Sequence, residues 1–93
     1  MLTYKNVTLD VDKHEYRVDE EKIYLRFKDF SVMKILMENK GKVCKTPDIM
    51  AEVWPNKRLK TTAALAIVIS NLRKVFPYPI NNVHKVGYYI EEE

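Results

Sequence analysis

Six cationic side chains, Lys57, Arg58, Lys60, Arg73, Lys74 and Lys85, fall between Val53 and Ile90, and no aspartate or glutamate lies among them. The 52 residues before that stretch carry ten basic and ten acidic side chains, and the chain closes on Glu91, Glu92 and Glu93. The formal net charge of +3 therefore comes from one segment. Charge segregated in this way suits a polyanionic partner, and nucleic acid is the commonest one. The chemistry available is ion pairing and hydrogen bonding rather than bond cleavage. His14 and His84 are too few and too far apart for a metal cluster, and Cys44 has no partner in a Cys-x-x-Cys spacing. No GxGxxG, GxxxxGK[ST] or GxSxG motif occurs, and the chain has only two glycines, Gly41 and Gly87. The carboxylates show no pairing suited to acid–base work. The sequence thus predicts no enzyme, no metal and no cofactor.

The bulk composition frames those residues. Ninety-three residues, 46% hydrophobic and 11% aromatic, suit one domain over residues 1–93 with a real core. The single cysteine precludes an internal disulfide, reads as a buried thiol in the Val43-Cys44 dipeptide, and points to a reducing compartment. No apolar run approaches the ~18–20 residues of a membrane span, and no signal peptide is evident. A cytoplasmic location with no membrane contact by this segment is expected.

The elements that must position the cations follow from periodicity. Short stretches at 2–4, 7–10, 14–18 and 22–25, rich in Val, Ile, Thr and Tyr, predict a small antiparallel sheet. From 28 to 39 the period changes: Phe30, Met33, Leu36 and Met37 form an apolar stripe, with Asp29, Lys34 and Glu38 off it. Gly41 stands where that helix should stop, and Arg26 offers no capping oxygen at its start. Thr46 as cap, Pro47 in the first turn and Asp48 against the positive end of the dipole announce a second helix, which runs to Trp54 and closes at Pro55. A third helix begins at Thr61 or Thr62 and ends near Phe76, before Pro77 and Pro79. Leu65, Val68, Ile69, Leu72 and Phe76 share its inner face, leaving Ala63, Ala66, Ile67, Ser70, Asn71 and Lys74 outside. Stretches 83–85 and 88–90 flank a turn containing Gly87. The expected fold is α+β: a winged helix-turn-helix with a four-stranded antiparallel sheet, three helices and a C-terminal β-hairpin wing.

Three motifs carry a family resemblance. The run Leu25 … Phe30 … Leu36 … Gly41-Lys42-Val43 … Ile49 … Val53-Trp54 is similar to the first two helices of the OmpR/PhoB-type winged-helix domains. Ile69-Ser70-Asn71-Leu72-Arg73-Lys74 resembles that family's recognition helix, and Val83-His84-Lys85-Val86-Gly87-Tyr88 resembles its wing. Trp54-Pro55 and Lys85 look most like the ToxR/CadC-like branch, and Met1 stands directly before the first strand. That branch implies a linker and membrane span beyond the domain.

The resemblance implies sequence-specific binding of double-stranded promoter DNA for transcriptional regulation, with the third helix in the major groove and the wing at the minor groove. Ala66, Ile67, Ser70 and Asn71 then face DNA. Asn71 could pair with an adenine edge or remain a solvated amide, and Ile67 could touch a thymine methyl or a protein. Arg73 and Lys74 suit phosphate. Thr61 and Thr62 suit phosphate or capping. His84 and Lys85 approach the wing tip, His84 where an arginine is frequent in relatives. Lys57, Arg58 and Lys60 form a basic loop open to three readings: solvated, clamping phosphate or meeting RNA polymerase. A dimer on DNA is expected from the small footprint of one domain. The bland Ala63, Ala66 and Ile67 face leaves a rival open, a winged helix that serves protein assembly and does not bind DNA.

Overall fold

The computed structural model describes residues 1–56 and 62–93. Strands β1 (Leu2–Tyr4), β2 (Val7–Asp10), β3 (Glu15–Val18) and β4 (Glu21–Ile23) form an antiparallel sheet in sequential order. Alternation decides its faces. Tyr4, Val7, Leu9 and Tyr16 point inward and are buried, and the register sets Leu9 opposite Tyr16 and Tyr16 opposite Ile23. Glu15, Arg17 and Lys22 lie on the outer face, where Glu15 pairs with Arg17 at 3.2 Å and Lys22 at 3.6 Å. The expected third strand loses its first residue: His14 has φ +55 and stacks on Phe30, with ring centroids 3.8 Å apart.

Helix α1 (Phe27–Glu38) follows, then the two-residue strand β5 (Cys44–Lys45) and helix α2 (Thr46–Val53). Helix α3 (Thr62–Val75) leads to β6 (Asn81–Val83) and β7 (Gly87–Tyr89). The whole is an α+β winged helix: four-stranded sheet, three helices among the described residues, and a C-terminal hairpin.

Helix α1 occupies the centre, packed against β1, α2 and α3. Being covered on several sides, it buries Val32 and Ile35 as well as the expected stripe. Asp29, expected off that stripe, is only 7% exposed. Burial pushes its carboxyl pKa up, Arg26 opposes the shift, and its place in the first helical turn favours a negative charge. Lys34 and Glu38 stay outside and pair at 3.7 Å. The helix stops at Asn39, whose side-chain amide donates to the Ile35 carbonyl, and Gly41 takes the left-handed φ of +84 that the reversal needs.

Two expectations for α2 change. Thr46 is its first helical residue rather than its cap, and the Thr46 N–H donates to Val86 O at 2.9 Å. The start of α2 is thus tied to the hairpin through the β5–β7 pairing, so no side-chain cap is made there. Trp54, expected as the last residue of the helix, follows it as the C-terminal cap and is half-buried against the core beneath the Lys28 ammonium.

The C-terminal end of α3 is held from the sheet. Tyr16, 1% exposed, donates its hydroxyl to the Val75 carbonyl at 3.2 Å, one of the carbonyls a helix end leaves without an internal partner. Tyr16→Phe should therefore cost about 1 kcal/mol in urea unfolding, because the part-buried carbonyl loses its donor while the ring still packs. An unchanged midpoint would show that the bond contributes nothing.

Candidate nucleic-acid interface

At about 100° per residue, the buried face of α3 formed by Leu65, Val68, Ile69 and Leu72 leaves one column pointing directly away. That column is Ala63, Ile67, Ser70 and Lys74, all exposed, with Ile67 at 61%. Asn71, expected among the exposed polar groups, is half-buried because it turns toward the Val68 and Val75 flank. Thr62 and Ala66 are exposed. Thr61, Lys57, Arg58 and Lys60 lie outside the described residues.

Arg73 is engaged differently from Lys74. Its guanidinium donates to the Ile80 carbonyl at 2.6 Å, fastening α3 to the segment that leads into the hairpin. Phe76 and Tyr78 pack with Tyr4 in the same region, with centroids 5.5 to 5.7 Å apart. A groove of about 660 Å³ lies beside Arg73, Lys74 and Tyr78. Lys74 keeps its ammonium in solvent near the negative end of the helix dipole.

The hairpin differs from the expected one. Its strands are 81–83 and 87–89, and His84, Lys85 and Val86 make the turn, closed by Val86 N–H to Val83 O at 2.9 Å. Lys85 takes the left-handed position, φ +61. Gly87 sits inside β7, opposite Lys45, where a Cβ would come within 2.0 Å of the Cys44 carbonyl oxygen. Its lack of a side chain serves close approach of two strands, not the turn. Tyr88 is partly buried against the core. His84 and Lys85 project from the tip.

Helix and hairpin enclose a cleft of about 380 Å³, bordered by Thr62, Ala63 and Ala66 on one side and Asn82, His84 and Lys85 on the other. The structure therefore brings the start of α3 and the hairpin tip together, while Ser70 and Lys74 continue along the helix. No carboxylate borders the cleft among the described residues. Asn82 was absent from the sequence-derived set; it immediately precedes the stretch read there as a strand. Cys44 is buried, and burial, followed by Asp48, pushes its thiol pKa up, so it is a poor nucleophile. Among the described residues no three His, Cys, Asp or Glu side chains gather to hold a metal. No described helix is long and apolar enough to cross a membrane.

The backbone at Lys85 yields a stability prediction. A non-glycine residue in the left-handed region is strained by about 1 kcal/mol, so Lys85→Gly should raise unfolding free energy by roughly that amount. A lower urea midpoint for the variant would contradict it.

The family model described as transcriptional regulatory protein, C terminal, matches residues 20–90. The chain belongs to this family, the OmpR/PhoB-type DNA-binding domains. Sensory transduction protein RegX3 of Mycolicibacterium smegmatis is 33% identical over 91 residues, covering 91% of this chain and 40% of that protein. The DNA-binding domain of CpxR from E. coli superposes with a TM-score of 0.88 at 22% identity, over 98% of this chain and 95% of that one. The AdeR DNA-binding domain, solved in complex with an intercistronic region, superposes at 0.84 and 21% identity, over 98% and 99%. The chain spans about two-fifths of the length of the curated relatives it matches. In this OmpR/PhoB-type domain α3 is the third helix of the winged helix and the β6–β7 hairpin is its wing.

Proposed function

We propose that residues 1–93 act as one domain that binds double-stranded promoter DNA sequence-specifically to regulate transcription. Helix α3 lies in the major groove and the wing reaches the adjacent minor groove. The observation that carries this reading is the cleft, with no carboxylate among its described residues, which sets the start of α3 beside the His84–Lys85 tip. Phosphates require cations and N–H or O–H donors, and Lys74, Lys85 and Thr62 supply them around one surface. The AdeR DNA-binding domain, which shares this fold, was solved in complex with an intercistronic region, and that supports DNA as the partner. Arg73, being fastened to Ile80, contributes by holding the wing relative to α3.

Several narrower parts belong to the same proposal. One domain spans few base pairs, so two copies on repeated half-sites are expected. The 57–60 segment meets phosphate or RNA polymerase. The role is non-catalytic and cytoplasmic. Placement in the ToxR/CadC-like branch rests on Trp54-Pro55 and Lys85, and membrane fractionation of the full-length protein tests it.

Fluorescence anisotropy of labelled duplex DNA at two salt concentrations tests the main reading. With about four phosphates neutralised, affinity should fall on the order of a hundredfold between about 50 and 200 mM salt. Absence of binding at low salt by the folded domain would overturn the reading. The exposed Ile67 and the alanines beside it would then mark a protein-assembly face.

A further inference from the structure

We infer that this domain recognises thymine methyl groups through Ile67, so that its preferred sites are A/T-rich duplexes. The inference rests on the DNA-binding reading above and names the class of DNA. Ile67 stands at the centre of the column pointing away from the core, 61% exposed, with Ala63 one turn before it and Ala66 beside it. Small neighbours let the helix backbone approach the groove floor, and Ile67 becomes the most protruding apolar group. Among the base edges in the major groove, thymine alone presents an apolar group, its C5 methyl. An isoleucine discriminates by burying that methyl.

The alternative bases are poorly served. Guanine is read by arginine or lysine reaching O6 and N7 together. The described cations of α3 are Arg73 and Lys74, both in its last turn. Arg73 is bound to Ile80 O, and Lys74 lies toward the C-terminal end, where phosphate is the nearer target. Lys74 is thus the one described cation of the outward column, one turn beyond Ser70, and none stands beside Ala63 or Ile67. The wing argues independently in the same direction. A/T tracts narrow the minor groove and concentrate negative potential there, which attracts inserted cations. Lys85 presents its charge at the wing tip from a left-handed backbone position that glycine would occupy without strain.

Site selection from a random duplex library, followed by replacement of thymine with deoxyuridine in the selected duplex, tests the inference. The replacement removes a methyl and leaves every hydrogen-bonding group in place. A/T-rich selected sites are expected, and each contacted methyl should account for about fourfold in affinity for the wild-type domain. Ile67→Ala, which suits an exposed helix position, should bind more weakly and lose that sensitivity. Ile67→Gln should shift the selected base at the same position from thymine to adenine. Circular dichroism confirms that the variants fold. G/C-rich selected sites, equal binding of uracil and thymine duplexes by wild type, or full methyl sensitivity in Ile67→Ala would each overturn the inference while DNA binding stands. Failure of the folded domain to bind any duplex at low salt overturns the DNA-binding reading itself, and this inference with it.

Discussion

Gly87→Ala should destabilise the domain by about 3 kcal/mol, a sum of steric strain and broken strand pairing. The added Cβ would lie 2.0 Å from the Cys44 carbonyl oxygen, 2.8 Å from its carbon and 2.9 Å from Lys45 Cα. Those atoms are backbone and cannot swing aside as a flexible side chain would. Relief requires β7 to separate from β5, which breaks the Cys44–Tyr88 and Lys45–Gly87 pairing and the bond from Thr46 N–H to Val86 O. A domain of this size has only about 5–15 kcal/mol of total stability, so the loss is large. Urea unfolding followed by circular dichroism measures it. DNA affinity should fall too, because the wing loses the pairing that sets its position beside α3. A variant within about 0.5 kcal/mol of wild type would show that the strands part at little cost, contrary to this packing.

The largest effect on binding is expected from Lys74→Glu, which should weaken duplex affinity on the order of a hundredfold, or about 2–3 kcal/mol. Lys74 is exposed on the outward column of α3, so reversal places a carboxylate where phosphate is expected. Stability should change little, within about 0.5 kcal/mol, with a small adverse term from a negative charge in the last turn. Arg73→Ala should behave in the opposite sense. Its main loss is the bond to Ile80 O, which shows first as reduced stability and a loosened wing. Anisotropy and urea unfolding on both variants separate the two roles. Equal DNA affinity for Lys74→Glu and wild type would remove Lys74 from the interface.

Adjacent arginine and lysine thus sit in different surroundings, one bound to a carbonyl and one in solvent, and that difference was not legible in the sequence. Both fit a phosphate-binding pattern at a helix C-terminus. The partner of Arg73 is a carbonyl seven residues on, reached only because the chain turns back after Pro77 and Pro79. The outward column of α3, by contrast, was legible, since a 3.6-residue period depends on neighbours in sequence. Asn71 fell at its edge, where a shift of a few tens of degrees decides between solvent and flank. The candidate cleft was legible as two separate pieces, helix and wing, but not with Asn82 as part of its wall.

The sheet, the helices and the acid-free basic segment were determined by the sequence itself. Alternation of apolar residues, helical periodicity and the distribution of charge are local properties, written wherever the chain goes. Tertiary structure decided the rest. Asp29 is buried because three neighbours surround α1; β5 exists because β7 lies against it, two residues being too short to show a period. Gly87 read as a turn residue and proved to be a point of contact between strands, while Lys85 took the strained turn position. Such facts depend on which distant backbone atoms meet, residue 44 with 87, 16 with 75, 73 with 80. Periodicity reports which face of an element is apolar; only the closed fold determines what that face, and the backbone behind it, will touch.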